Sequence, residues 1–117
     1  SCEFTDAEKE VFKNIQDILQ DESKGGRPSI ISPRTQQSIL YYCTVARELM
    51  PTEKPLCALD YAVSQKILPR LTGYDNFLHR LDELQRKIRE DLPRSARILE
   101  RMIRIGREDH GYYRFFY

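Results

Sequence analysis

The chain has 117 residues, enough for one domain with a substantial core, because a domain of this size buries roughly two thirds of its unfolded surface. Charged residues make up 32% of the sequence, but 19 basic residues nearly balance 18 acidic ones, for a net charge of +1. This balance argues against nucleic acid or a membrane surface as the direct partner.

The cysteines and histidines form no recognisable metal-binding pattern. Cys2, Cys43 and Cys57 lack CxxC spacing, and His79 and His110 lie far from them in the sequence. Cys43 and Cys57 fall in apolar helical contexts, which indicates reduced thiols in the core of a cytoplasmic protein. We therefore expect no metal site.

The apolar runs and the N-terminus bear on the cellular context of the chain. No apolar run is long enough to span a membrane, and the N-terminus has no signal-peptide core. The chain starts at Ser1 without an initiator methionine, so we expect it to be an excerpt of a longer protein.

The first predicted helix begins at the capping box Thr5-Asp6-Ala7-Glu8 and ends near Asp21. Its inward positions recur at helical spacing: Ala7, Val11, Phe12, Ile15, Ile18 and Leu19. Residues 22–31 then break the helix with two glycines and a proline, which predicts a mobile connector. This connector brings Lys24 and Arg27 close to the next helix, without the GxxxxGK[ST] phosphate-binding pattern.

The stretch from Ser32 to Met50 predicts a central helix. Ser32 suits the N-cap and Pro33 the first helical position. Arg34 opposes the helix dipole in the first turn, which suggests a purpose other than helix stability. The apolar residues wrap about two thirds of the circumference, as expected for the hub of a bundle: Ile39, Leu40, Tyr42, Cys43, Val45, Ala46, Leu49 and Met50.

A third helix is predicted from about Leu56 to Leu68, where Pro69 stops it. Asp60 lies close to its apolar face. A carboxylate in that position requires a hydrogen-bond partner, so we interpret Asp60 as a structural residue and not a catalytic one.

Two more helices follow. The fourth has a narrow apolar stripe: Tyr74, Phe77, Leu78, Leu81, Leu84, Ile88 and Leu92. Pro93 separates it from the fifth, which ends at a C-cap at Gly106 and has these residues inward: Ile98, Leu99, Met102, Ile103 and Ile105. The aromatic segment 111–117 is expected to pack back as an extended strand or hook. The predicted fold is all-α, a single domain over residues 1–117 with about five helices and an extended aromatic C-terminal tail.

An arginine stripe follows the outer face of the fifth helix: Arg94, Arg97, Arg101 and Arg104. The simplest interpretation is a solvated face with ion pairs from Glu100 to Arg97 and Arg104. The alternatives are contact with an acidic protein partner or, less in keeping with the net charge, with DNA.

Several motifs resemble the helical lid of McrB-type AAA+ nucleotidases. Ser32-Pro33-Arg34-Thr35 opens a helix, and Ala58-Leu59-Asp60 leads into Lys66-Ile67-Leu68-Pro69-Arg70-Leu71-Thr72-Gly73, the most specific segment. Leu99-Glu100-Arg101-Met102 and the aromatic segment 111–117 are similar to the end of the same module. The resemblance runs from about Phe4 to Tyr117. The family is named after the motor of a restriction system directed at 5-methylcytosine DNA.

The resemblance implies that a separate base domain of the same protein carries the Walker motifs and binds ATP or GTP with magnesium. The lid closes over that nucleotide and contacts neighbouring AAA+ subunits, and DNA is reached only indirectly. No catalytic residue is expected in the lid itself, because it lacks the phosphate cradle and the metal-binding acid. Its contribution is a sensor II arginine at the γ-phosphate, for which Arg34 is the first candidate and Arg27 the second.

Two other functions are compatible with the sequence. One is a stand-alone helical module for protein interaction, in which Arg34 is an ordinary surface residue. The other is a DNA-binding helical domain, which predicts a steep loss of duplex affinity with rising salt.

Overall fold

A computed structural model describes residues 2–51 and 53–115. Within these residues the fold comprises α1 (Asp6–Gln20), α2 (Pro33–Leu49), α3 (Cys57–Lys66), a 3-10 turn (Leu68–Arg70), β1 (Thr72–Tyr74), α4 (Phe77–Ile88), α5 (Pro93–Glu108) and β2 (Tyr112–Arg114). The prediction of about five helices is confirmed. The small antiparallel sheet of β1 and β2 was not predicted.

The helices pack in an order that differs from their order in the chain. Helix α4 packs against both α1 and α5, α5 packs against α3, and α3 packs against α2. The middle of the molecule is therefore built from α4 and α5, whose buried residues include Leu81, Leu84, Leu99 and Met102. None of the helices in the described ranges is long and apolar enough to cross a bilayer.

The prediction that α2 is the hub of the bundle is wrong. Its buried residues are Thr35, Ile39, Cys43 and Ala46, whereas Leu49 remains 75% exposed. Tyr41 and Met50 are exposed as well. Helix α2 lies at the edge of the bundle and rests mainly on α3, so only part of its broad apolar surface is covered.

The start of α1 has the predicted capping box, in which Thr5 N–H donates to Glu8 Oε1 (2.9 Å) and Glu8 N–H to Thr5 Oγ1 (3.1 Å). The predicted inward residue Ala7 is exposed, and Glu8 is fully buried in its place. Arg47 of α2 explains the difference, because its Nη1 lies 2.5 Å from Glu8 Oε1 and balances the buried charge. This ion pair ties α2 to α1.

Arg80 of α4 is a fully buried cation at the end of α1. Its guanidinium donates to the carbonyl oxygens of Ile18 (2.7 Å) and Leu19 (3.0 Å). It also donates to three carbonyl oxygens of the loop that follows α1, at 3.2 to 3.3 Å: those of Lys24, Gly25 and Gly26. One side chain therefore caps α1 and holds the loop.

The glycines of this loop serve a close approach to α4. Gly26 has φ +74°, and a Cβ there would lie 2.7 Å from the Phe77 ring. Lys24 of the loop also pairs with Glu83 of α4, Nζ to Oε1 at 2.6 Å. The sequence predicted a mobile connector; in the structure the loop packs on α4, and its glycines permit that close approach.

The end of α5 also differs from the prediction. Gly106 lies inside the helix and is buried, and a Cβ at Gly106 would lie 2.2 Å from Tyr113 Cδ1. Tyr113 is buried in β2 and pairs with Gly73 in β1. Phe116 and Tyr117 lie outside the described residues, so the packing of the whole aromatic tail stays a prediction.

Three further positions that were predicted for the core are exposed. Tyr74 belongs to β1 and not to the fourth helix, and it stacks on Tyr112 with ring centroids 4.7 Å apart. Ile105 faces outward on α5. Cys57 is exposed at the first position of α3, so that Cys43 is the buried thiol of the pair predicted for the core.

Candidate functional site

A groove of about 690 Å³ lies between the start of α2 and the end of α3 with its 3-10 turn. This volume is within the range of small-molecule sites. Its lining is polar and cationic: Ser32, Arg34, Thr35, Ser38, Gln65, Lys66, Pro69 and Arg70. The groove brings Arg34 together with two basic residues of the Lys66-to-Gly73 segment.

The start of α2 is fixed by its own side chains. Ser32 Oγ accepts the N–H of Thr35 (3.1 Å) and donates to Thr35 Oγ1 (3.0 Å). Gln36 Nε2 donates to the carbonyl of Ile31 (2.9 Å), which ties the cap to the preceding loop. The predicted N-cap is confirmed, and it places Arg34 at the groove with an exposed side chain.

The opposite wall is set by the turn after α3. Leu68 and Leu71 are buried and anchor this segment in the core. The N–H of Arg70 donates to the carbonyl of Ile67 (3.0 Å), and that of Leu71 to the carbonyl of Leu68 (3.1 Å). The turn that results directs Lys66 and Arg70 to the groove.

The electrostatics of the groove favour an anion. Its lining contains three cations and no carboxylate among the described residues. In the same part of the chain, no salt bridge involves Arg34, Lys66 or Arg70. Lys66 interacts favourably with the C-terminal end of the α3 dipole, whereas Arg34 opposes the dipole of α2. Three adjacent unpaired cations repel one another until an anion binds between them.

A second, smaller cleft of about 310 Å³ adjoins the groove and shares Ser32, Thr35, Lys66 and Arg70 with it. Its other lining residues are mainly apolar: Leu19, Ser29, Ile30, Ile31, Ile67 and Leu71. Ile30 stands at this cleft with 79% of its surface exposed. A cationic groove beside an apolar cleft suits an amphiphilic ligand with a charged end.

Arg27 lies apart from this arrangement. It is exposed in the loop after α1 and does not line either cleft. Arg80 holds the backbone just before it through the carbonyl of Gly26. Of the two sensor II candidates, Arg34 and not Arg27 lines the groove with Lys66 and Arg70.

The arginines of the α5 stripe are all exposed, but they are not equivalent. The guanidinium of Arg94 lies 5.1 Å from the centre of the Tyr61 ring, and its Nε donates to Ser64 Oγ (3.2 Å). Arg94 therefore packs on α3. Within the described residues, no salt bridge joins Glu100 to Arg97 or Arg104, so the ion pairs expected from their spacing do not form.

Asp60 has the structural role predicted for it. Its carboxylate accepts the N–H groups of Arg94 and Ser95, each at 2.8 Å, at the start of α5.

The sequence analysis did not assign a binding role to Lys66 or Arg70. The available signal was the placement of two basic residues on either side of a helix-stopping proline.

Among the described residues, no group of three or more His, Cys, Asp or Glu side chains is arranged to hold a metal ion. The groove itself is lined by guanidinium, ammonium, amide and hydroxyl groups, which can donate hydrogen bonds to an anion.

Comparison with known proteins places the chain in one family. No curated protein and no solved structure matched it. The model of the family described as "Domain of unknown function (DUF8727)" matches residues 1–112, which is nearly the whole chain. The chain belongs to the DUF8727 family.

Proposed function

We propose that the chain is the helical lid of a McrB-like AAA+ nucleotidase. It closes over ATP or GTP, bound with magnesium to a base domain of the same protein. The observation that carries this proposal is the groove that Arg34 shares with Lys66 and Arg70. The arginine at the sensor II position and the segment that most specifically resembles such lids thus meet at one place on the surface.

The proposed role of Arg34 follows from guanidinium chemistry. A guanidinium donates two parallel hydrogen bonds to a phosphate, and its charge stabilises the negative charge that develops on the γ-phosphate. Because Arg34 stands in the first turn of a capped helix, its contact with phosphate would couple lid closure to the presence of the γ-phosphate. Walker motifs and metal-binding acids are contributed by the base domain.

We assign the α5 stripe to contacts within a ring of subunits. Arg97, Arg101 and Arg104 are exposed along one helix face, which suits an acidic surface on a neighbouring subunit. Arg94 contributes less to this surface, because it packs against Tyr61. DNA is reached only through the assembled motor, and we place the protein in the cytoplasm without direct membrane contact.

The reading frame upstream of Ser1 provides a direct test. The lid proposal requires a strand followed by GxxxxGK[ST] within a few hundred residues, and a protein that binds and hydrolyses ATP or GTP. A complete reading frame without such a domain would refute it.

A second candidate function is a stand-alone helical module for protein interaction. It is favoured by the uncovered apolar surface of α2, where Tyr41, Leu49 and Met50 are exposed. Beside it, a cleft of about 590 Å³ is lined by residues of α1, α2, α3 and the intervening turn. This function predicts a protein without a nucleotidase domain, whose activity is insensitive to substitution of Arg34.

A further inference from the structure

We propose that Lys66 and Arg70 are phosphate-binding residues in addition to Arg34, and that the groove between them takes a polyphosphate without help from a base domain. This inference deepens the lid proposal and rests on it for the biological ligand. It goes further in assigning two more binding residues and a binding capacity to the chain itself.

The positions of the three positive charges support this assignment. Arg34 comes from α2, whereas Lys66 and Arg70 come from the end of α3 and the turn after it, so the cations lie on both walls of the groove. With no carboxylate in the described lining, a ligand with one negative charge leaves the repulsion among the three cations only partly neutralised. A chain of several phosphates offers a negative oxygen to each.

The neutral side chains of the groove offer further hydrogen-bond donors. Ser32 Oγ both donates and accepts within the helix cap, where Thr35 Oγ1 is its acceptor. Ser38 and Gln65 also line the groove, and neither side chain makes a hydrogen bond within the described part of the chain. A hydroxyl and an amide are thus available to donate to the oxygens of a ligand.

Both walls of the groove are held in place before a ligand binds. Ser32 and Gln36 fix the start of α2, and buried Leu68 and Leu71 fix the opposite wall. Only the long basic side chains must be ordered when a ligand binds, which limits the entropic cost of binding. The anion site of the chain is therefore already formed before a nucleotide binds.

The test uses the 117-residue protein and inorganic tripolyphosphate, titrated at low salt and followed by amide chemical shifts. We expect shifts at Arg34, Lys66 and Arg70. Lys66→Gln and Arg70→Gln should each weaken the affinity roughly tenfold, through the loss of a charge-assisted contact. Lys66→Arg keeps the charge and should keep the affinity within about threefold.

Lys87→Gln and Arg107→Gln are the matched controls, because both remove one positive charge at an exposed site elsewhere. Equal losses in the controls would mean nonspecific attraction and would overturn the proposal. So would an absence of binding at low salt, or an unchanged affinity in folded Lys66→Gln and Arg70→Gln variants. Circular dichroism confirms that each variant is folded.

A parallel titration with ATP separates the possible sources of the polyphosphate. If ATP binds more tightly than tripolyphosphate, the adjoining apolar cleft contacts the nucleoside. If the two affinities are equal, the phosphates alone are recognised. Either result supports the site. If tripolyphosphate does not bind, this inference is wrong. The lid proposal can still be tested by the nucleotide turnover of the Arg34→Ala variant. If tripolyphosphate binds but Arg34→Ala leaves turnover unchanged, this inference is supported and the lid proposal is contradicted.

Discussion

Asp60 of α3 caps α5 by accepting the backbone N–H groups of Arg94 and Ser95, and the hydroxyl of Ser95 returns a hydrogen bond to the Asp60 carbonyl at 3.0 Å. The cap comes from another helix because the residue before α5, Leu92, has no side-chain acceptor. The same contact fixes α3, which carries Lys66 at its end, against the core helix α5.

Asp60→Ala should lower the free energy of unfolding by about 2 kcal/mol, since it removes a helix cap and leaves buried N–H groups unpaired. Urea unfolding measures the loss. Asp91→Ala is the control, because Asp91 is exposed just before the same helix, and its effect should stay within about 0.5 kcal/mol. Equal losses in the two variants would contradict the role of Asp60.

Arg80→Ala should lower the free energy of unfolding more than any substitution of an exposed arginine. Its removal takes the guanidinium donor from five backbone carbonyls of α1 and the following loop, of which that of Leu19 also accepts the N–H of Ser29. We expect the free energy of unfolding to fall by about 3 kcal/mol or more. Burial lowers the pKa of Arg80, while nearby Asp21 and Glu83 oppose that shift.

Hydrogen exchange adds a local readout to the Arg80 experiment. The amides of residues 22–31 should exchange faster in a variant that is still folded, for example Arg80→Lys, which keeps the charge but has fewer donors. Arg86→Ala on the exposed side of α4 should leave both stability and exchange nearly unchanged, because it removes only a surface ion pair with Asp82. Unaltered exchange in Arg80→Lys would show that the loop is held by other contacts.

Gly106→Ala separates a packing role from a capping role. Alanine in a helix normally stabilises by about 0.5 to 1 kcal/mol relative to glycine. At Gly106 the added Cβ would lie 2.2 Å from the Tyr113 ring, so we expect a loss of about 1 to 3 kcal/mol instead. In a Tyr113→Ala background the clash disappears, and Gly106→Ala should become neutral or stabilising. A loss that persists in that background would contradict the close approach of β2 to α5.

The buried thiol of Cys43 should make stability depend on alkaline pH. Burial raises the pKa of Cys43 from 9.0 to about 12, with a smaller contribution from the neighbouring Glu8 carboxylate. The folded state therefore keeps a proton that the unfolded chain releases above its lower pKa. This contribution to stability is complete below pH 9 and is lost as the pH rises toward 12.

The measurement compares the wild type with Cys43→Ala by urea unfolding between about pH 8 and pH 11, where the thiol of the unfolded chain titrates. The wild type should lose stability more steeply than the variant, by at most about 1.4 kcal/mol per pH unit. Parallel curves would mean that the folded and unfolded thiols titrate alike. Other alkaline groups are common to both proteins and cancel in the difference.

Local patterns predicted the local features of this fold well. The Thr5–Glu8 capping box and the Ser32 cap depend on residues three positions apart, and both formed as expected. The buried stripe of α4 likewise follows from helical periodicity, apart from Tyr74. These elements are determined by neighbours in the sequence, which is why their residue types suffice.

Features that depend on distant partners were not predicted. Arg80 binds carbonyls that lie 54 to 62 residues earlier in the chain, and its charge suggests a surface position until those partners are known. Gly106 has the residue type of a helix cap, and only Tyr113 shows that it permits close packing. The width of the α2 apolar surface could not reveal that α4 and α5 occupy the centre.

The candidate site was predictable in part. Arg34 stands out in the sequence because it opposes a helix dipole, and its role as a sensor II arginine stays a proposal. Its convergence with Lys66 and Arg70 depends on how α2 packs on α3, a tertiary relationship that no local pattern contains.

The most direct test of the lid account is nucleotide turnover by the full-length protein that contains this chain, compared between wild type, Arg34→Ala and the exposed control Arg107→Ala. If Arg34 contacts the γ-phosphate, Arg34→Ala should lower turnover by about 10²-fold, the effect of removing one donor to a developing anion, while Arg107→Ala leaves it unchanged. Turnover of Arg34→Ala equal to that of the wild type would contradict the account.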